Sequence, residues 1–477
     1  MSIATTPSAF VSTRDYRDFN GFGASSADEI QDLRKALSAG NDVNNPGAAP
    51  GVGFPLRPES LEATLKSVTF EMDEIKLFKT ISKIPAVNSV EEYNRLLSFS
   101  NGGARAFDLG WMPEGDLPEE QDSTYERVTM LIKFLGTVGR VTHVANTVRS
   151  AHGNIIALET MNKTMFMLQQ LEHSLFFGDS SLIPEQFDGL ERLIRTGAPQ
   201  NVIDLRGRSL TEESMNDQLL QIRDSFGRAT DFYSATGAFA DLSKQVYDRQ
   251  RFTQAPSPGV LGSQVQAFQG QHGKVNLHDS VFIQPGGFAS ATGLGSTVKR
   301  PLTPTITIAP VAAANPASLF VTADAGTYIY RVVARNRFGA SIPLNSAAVA
   351  VVAGDRVTFT VADGGQGTSY YEIYRTEPGG AAGTAKLMAK VARTGATQVI
   401  TDDNGDIPGT STAFMLMQNQ QSFSWAQLLP MTRFPLAAID TSIRWAQVIY
   451  GAVKMYTPAK NLVIKNVGRA EGSLPQS

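Results

Sequence analysis

Along residues 154–177, apolar side chains recur at spacings of three and four: Leu158, Met161, Met165, Leu168, Leu171 and Leu175. This periodicity predicts one long helix with a continuous apolar stripe, and Gly178 stands where its C-cap belongs. Asp179 follows the glycine, and a turn over residues 184–190 comes next. The period changes upstream. Val128, Met130, Ile132 and Phe134 alternate with Thr129, Leu131 and Lys133, the pattern of a strand with one covered face. A Gly-rich run over residues 98–110 predicts the outbound strand of the same feature, and residues 113–122 its acidic tip. The stretch 97–146 therefore reads as a long two-stranded excursion. Such an excursion has little to do inside a compact monomer, where connections have a median length of about 4 to 6 residues.

The remaining chain divides by texture. Residues 1–66 are rich in Gly, Pro, Ser and Asn, interrupted by one short helical pattern. Its Ser26 and Glu29 make a capping box, Ile30, Leu33 and Leu37 one face, and Gly40 the stop. A polar arm with one narrow apolar face is expected to lie across a neighbouring subunit. Leu61, Leu65 and Val68, then Ile75, Leu77, Phe78 and Ile81, predict compact elements joining the arm to the body. Past the long helix, Ser209 and Glu212 look like a second capping box. Met215, Leu219, Ile222 and Phe226 give the face of a helix closed by Gly227. A short strand at residues 232–236 and a helix over 239–247 complete a mixed α+β pattern, and residues 252–300 are loop-rich.

From 303 to 412 the texture is purely β. Runs at 327–335, 347–352, 357–361, 370–375, 387–391 and 398–401, separated by Gly, Asp and Pro turns, predict a sandwich of about seven strands. Mixed apolar texture returns over 425–467, with Trp445, Val448 and Tyr450 and strands near 452–456 and 461–466. The β block is thus an insertion.

Composition narrows the functional classes. The chain has 477 residues, enough for several cores, and only 18% of them are charged against 42% hydrophobic. Ordinary soluble domains carry roughly 25% charged residues, so much of the surface is expected to face protein. A net charge of -3 supplies no basic field for strong sequence-independent nucleic-acid binding. The absence of cysteine excludes disulfides, thiolate metal sites and cysteine nucleophiles. The first residues carry no secretory pattern and no long apolar run follows, which predicts a protein made and used in a cytoplasm without a membrane partner.

Candidate chemistry is sparse. His143, His152, His173, His272 and His278 are scattered without metal-ligand spacing, and packing or solvent exposure accounts for them. The Gly270–Lys274 stretch lacks the spacing and the Ser or Thr of a phosphate-binding loop, and residues 286–295 lack a dinucleotide fingerprint. Glu114, Asp116, Glu119, Glu120 and Asp122 could supply a carboxylate pair or a hard-cation site. Charge-rich hairpin tips are more often solvated or paired with a neighbour's basic groups. Met161 and Met165 read as core. No catalytic, cofactor-binding or metal-ligating residue is assigned, and no cofactor is expected.

The long helix ending in Gly178-Asp179, followed by Phe187-Asp188-Gly189-Leu190, resembles the spine helix of tailed-bacteriophage major capsid proteins of the Hong Kong 97-type fold. The order of arm, long hairpin, helix, mixed domain and closing strands strengthens that resemblance. It implies an α+β fold with an N-terminal arm (1–66) and an E-loop (97–146) lying over the adjacent subunit. The P-domain would comprise 67–96, 147–195 and 445–477, and the A-domain 196–302 and 413–444. Residues 330–341 and 371–376 resemble fibronectin type III and related Ig-like modules, although no tryptophan occupies the usual core place, so 303–412 is read as an Ig-like insertion. The function implied is a structural, non-enzymatic subunit forming hexamers and pentamers of an icosahedral head around double-stranded DNA. Assembly would occur in the host bacterial cytoplasm, with scaffolding, portal and cement proteins as candidate partners. Some members of the family cross-link a lysine to an asparagine, for which Lys133 is the candidate, but no partner group is identifiable. The alternatives are a carbohydrate-active or cell-wall enzyme with an Ig-like module, and a phage tail or baseplate protein.

Overall fold

The computed structural model describes residues 72–100, 109–148, 154–250, 265–437 and 440–470. The expected arm with its short helix, the residues Leu61, Leu65 and Val68, and most of the Gly-rich run lie outside the described residues.

The periodicity at 154–177 is realised as a helix, Ile155–Phe177. Only its C-terminal half is enclosed. Met167, Leu171, Leu175 and Phe176 pack with Trp425, Ile449 and Val453, whereas Met161 is 63% and Phe166 47% exposed. The partner surface is a four-stranded sheet in the order Lys83–Pro85, Phe423–Pro435, Ser442–Met455, Lys133–Thr142. In this sheet Trp445 stands opposite Gly139, and its indole fills the space that a Cβ at Gly139 would take. A glycine facing a large aromatic ring recovers on the facing strand the contact it cannot make itself.

A second core lies on a six-stranded sheet ordered Val202–Asp204, Leu462–Val467, Ser411–Leu416, Asp231–Ser234, Gly273–Asp279, Ala267–Gly270. Leu219 and Ile222 of helix Glu212–Asp224 and Leu242 of helix Thr236–Gln250 meet Phe232, Val275, Met415 and Ile464 there. The first of these helices begins two residues later than the sequence suggests. Its N-cap is Thr211, which exchanges side-chain and backbone hydrogen bonds with Ser214, in place of the Ser209–Glu212 pair. It ends through Phe226, which takes φ 57 although Gly227 follows.

The pairing redistributes two segments. Strand Phe423–Pro435, expected with the A-domain, pairs with Ser442–Met455 beneath the long helix. Strand Leu462–Val467, expected with the P-domain, joins the six-stranded sheet between Val202–Asp204 and Ser411–Leu416. Short apolar runs do not carry their sheet membership in their own sequence, and only long-range pairing says which sheet they enter.

The hairpin is formed by Val90–Ser98 and Thr124–Leu131, in antiparallel register from Val90↔Leu131 to Ser98↔Thr124. Its outbound strand therefore precedes the Gly-rich run and ends where that run begins, because glycine offers no side chain to hold a two-stranded ribbon. Strand Lys133–Thr142 is not part of the hairpin, since it pairs with Ser442–Met455. The covered face passes from Val128, Met130 and Ile132 to Leu135, Gly139 and Val141. That slip by one residue reverses the faces, so Phe134 points outward, 59% exposed, with its ring on Tyr450 at 4.7 Å.

Residues 305–402 form an all-β unit with its own core. One sheet joins Thr305–Ile308, Val357–Ala362 and Thr397–Asp402; the other is built on Lys386–Ala392, Tyr370–Arg375 and Tyr330–Asn336. Tyr330, Val332, Phe359, Val361, Tyr371 and Ile373 pack between them. The preceding loop belongs to this unit as well. Leu294–Gly295 pairs with Gly339–Ala340, and Phe288 bridges to Lys386, so residues expected in the A-domain cover the unit's second face. The fully buried strand Tyr370–Arg375, with Tyr371 and Ile373 on one side and Tyr374 on the other, follows from that cover.

Candidate assembly surfaces

The end of the long helix is held by two glycines placed back to back. The amide of Gly178 donates to the Ser174 carbonyl at 2.8 Å, and the amide of Gly189 donates to the Gly178 carbonyl at 2.8 Å. A Cβ on Gly178 would lie 2.6 Å from Ser174 O and closer still to Phe187 O, and one on Gly189 would lie 2.6 Å from Gly178 N. Asp179 then anchors the turn: Arg192 approaches it at 2.7 Å and Arg195 at 3.8 Å, and it accepts from the Ser181 amide at 2.8 Å. Burial pushes this carboxyl up, but the hydroxyl and amide of Ser181 and the Arg192 guanidinium together bring it below its ordinary value.

Nearly two turns before Gly178 on the same helix, Glu172 is fully buried. It accepts from the backbone amides of Lys76 at 3.1 Å, Leu77 at 2.7 Å and Phe78 at 2.9 Å, which are the free donors at the start of helix Leu77–Thr80. Burial raises its carboxyl above the ordinary value despite those three donors. Glu172 is thus a cap supplied from far along the chain, a function invisible to a local reading of the sequence.

The all-β unit is fastened to the body. Asn466 donates to the Gly405 carbonyl at 2.9 Å and to Asp204 at 2.7 Å, and accepts from the Ile407 amide at 2.9 Å. Arg206 donates to the Asn404 carbonyl at 2.7 Å, and Lys465 to that of Gly405 at 3.0 Å. Inside the unit, Arg375 meets Asp402 at 2.6 Å and Asn404 at 2.6 Å, while the Tyr330 hydroxyl donates to Asp402 at 2.8 Å. These buried groups hydrogen-bond one another inside a unit that contains no tryptophan.

A cavity of about 440 Å³ separates the fastened unit from the helix end, lined by His173, Asp179, Glu191, Arg192, Lys390 and Asp406 among others. Burial, reinforced by Lys390 and opposed by a hydrogen bond involving the Phe282 backbone, pushes the His173 imidazole down to about 4. Acids and bases of both signs mix along this wall, with no nucleophile held by a base.

The other sequence candidates are dispersed. His278 stacks on Tyr233 at 4.8 Å and pairs with Asp231 at 2.8 Å; His272 sits in the turn of the Ala267–Gly270 and Gly273–Asp279 hairpin; His143 begins a short helix; His152 lies outside the described residues. Lys133 donates to the Pro184 carbonyl of its own copy. Glu114, Asp116, Glu119, Glu120 and Asp122 are strung along the hairpin tip. Among the described residues no three His, Cys, Asp or Glu converge as a metal-holding group, and no helix is long and apolar enough to cross a membrane.

What the described surface does carry is exposed apolar area. Trp111 and Leu117 at the tip are each 87% exposed, Phe99 is 81% and Tyr125 70%. Large exposed apolar side chains grouped on one hairpin are a candidate interaction surface. The geometry is that of a subunit completed by other protein.

Comparison with known proteins gives that class a more particular content. The chain is 28% identical to the major capsid proteins of Staphylococcus phage S25-3 and of Staphylococcus phage K, over 92% of its own length and 96% of theirs. It is a homologue of phage major capsid proteins, as the resemblance of its helix, turn and hairpin implies. No protein-family model matches the chain. Among solved structures, the capsid of a native GTA particle overlays with a TM-score of 0.45 at 8% identity, covering 88% of this chain and 97% of that one. The holo-SrpI encapsulin complex of Synechococcus elongatus PCC 7942 overlays at 0.39 with 11% identity, covering 87% and 95%.

Proposed function

We propose that this chain is the major capsid subunit of a tailed bacteriophage, assembling as hexamers and pentamers into an icosahedral head around double-stranded DNA. The observation that carries the reading is similarity to phage major capsid proteins along nearly the whole of both chains. It favours a shell subunit over a cell-wall enzyme or a tail protein. The exposed apolar tip agrees with it, because burying such surface against neighbours contributes about 25 cal/mol per Å² toward closure.

In this reading the hairpin is the E-loop, and the long helix with its four-stranded sheet is the P-domain. The six-stranded sheet is the A-domain, and the all-β unit is an Ig-like insertion that projects from it. The role is structural and requires no catalysis. Portal, scaffolding and cement proteins are its partners during assembly in the host cytoplasm, and the packaged DNA meets a surface without a net basic field.

The test is sedimentation velocity with negative-stain microscopy of the full chain, alone and co-expressed with the scaffold and portal of its phage. Closed shells, or rings of five and six, are expected. A chain that stays a monomer or small dimer under both conditions would count against the proposal.

A further inference from the structure

The all-β unit presents a second surface, whose cations have no carboxylate partner among the described residues. Phe338 lies exposed at the tip of the Tyr330–Asn336 and Gly339–Ala340 turn, with Arg337 over its ring at 4.7 Å and Lys299 at 5.3 Å. Leu294 and Val298 on the adjoining loop are 45% and 78% exposed. The loop is fixed in place. Asn336 donates to the Lys299 carbonyl at 2.9 Å, and the Arg300 amide donates to that of Ser296 at 2.9 Å. Arg335 and Arg393, on nearby strand and loop, are already paired with Glu372 at 2.6 Å and Asp363 at 2.9 Å. Lys299, Arg300 and Arg337 have no carboxylate within ion-pair distance among the described residues.

The hairpin tip has the opposite character. Glu114, Asp116, Glu119, Glu120 and Asp122 are likewise without a cationic partner among the described residues, and the exposed Trp111 and Met112 precede them while Leu117 lies among them. We infer that the acidic tip of one copy docks on the Phe338 patch of the all-β unit of a second copy. The inference rests on the shell reading, which places copies side by side. Charge complementarity selects the pairing, because like charges suppress wrong docking and opposite ones steer the encounter. The apolar groups on both sides supply buried area, and a guanidinium over an aromatic ring holds the donor fan pointing at an incoming carboxylate. Such a contact ties the insertion of one subunit to the hairpin of the next, and its repetition over every subunit of a shell makes a modest pair energy sufficient.

The absence of cysteine allows a direct test in the full chain. Leu117→Cys and Val298→Cys are placed singly in two preparations, co-assembled, oxidised and run without reductant. Bridged dimers are expected in the mixture, and monomers in particles of either variant alone. A second arm reverses the patch with Lys299→Glu, Arg300→Glu and Arg337→Glu, which is expected to lower particle yield on the order of tenfold. Adding Glu114→Lys, Glu119→Lys and Glu120→Lys at the tip should restore it, with unchanged subunit melting as the folding control. Intact particles without bridges or rescue would overturn the docking and leave the shell reading standing. Loss of particles from the unaltered chain under every condition would overturn both. Patch-dependent retention on inorganic polyphosphate, in particles that form no bridge, would assign the surface to an external anionic polymer and overturn the docking.

Discussion

The end of the long helix and the tip of the hairpin use the same residue classes to opposite ends. At the helix end, Asp179 is matched to Arg192, Glu172 to three backbone amides, and Leu171, Leu175 and Phe176 are sealed beneath Trp425 and Phe414. At the tip, acidic and apolar side chains stand in solvent with no counterpart among the described residues of their own copy. The first region is complete within one chain; the second, in the proposed reading, becomes complete only against another. Substitutions should therefore separate into those that unfold the subunit and those that leave it folded but unable to assemble.

The largest loss is expected at the back-to-back glycines. Gly178→Ala or Gly189→Ala drives a methyl into backbone oxygen and nitrogen atoms that have no rotamer to escape through, at a cost of about 3 kcal/mol or more. Urea unfolding followed by circular dichroism would measure it. A shift of the midpoint by less than an amount equivalent to about 1 kcal/mol would show that the turn can open, and the contrast with the tip would weaken.

Next comes Glu172→Ala, which leaves three amides without an acceptor and is expected to cost about 2 to 3 kcal/mol. Glu172→Gln should cost less, since one oxygen remains. The pH dependence separates this group from His173. Burial raises the Glu172 carboxyl, so its native form favours the proton, and its contribution to stability declines as pH climbs from the ordinary 4.5 through the raised folded value. Burial lowers His173 from 6.5 to about 4, so its contribution is lost as pH falls through that interval. His173→Gln should flatten the loss of stability on acidification between these values, whereas Glu172→Gln should make it steeper. Denaturation midpoints in steps of pH would read both, and equal slopes in all proteins would refute the assignment.

The same division explains what could be read from the sequence. Local periodicity located the long helix to within a residue, together with most strands of the all-β unit, because period and turn residues are properties of neighbouring positions. The Gly178 cap was legible for the same reason. Glu172 was not, since the amides it caps lie at Lys76, Leu77 and Phe78, and a lone carboxylate on an apolar face gives no hint of them. Nor could the swap between Phe423–Pro435 and Leu462–Val467 be foreseen, because long-range pairing decides which sheet each strand enters. The slip at Ile132 and Lys133 had no glycine or proline to announce it. The acidic tip was visible, but its complement around Phe338 required Lys299 and Arg337 to be brought together across nearly forty positions of sequence.

The smallest effect on subunit stability is expected at the tip itself, and it is the most informative. Trp111→Ala and Leu117→Ala remove large apolar groups that are each 87% exposed, so unfolding midpoints should shift by no more than about 0.5 kcal/mol. Assembly should respond differently. An aromatic anchor at a protein interface can contribute about 2 kcal/mol or more, equivalent to over tenfold in each association step, and a closed shell multiplies that loss over many steps. Particle yield by sedimentation should therefore fall sharply for Trp111→Ala while the melting curve of unassembled subunits stays in place. Were Trp111→Ala instead to destabilise the isolated subunit, the tip would have a counterpart in its own copy, and the division between a closed helix end and an open hairpin would fail.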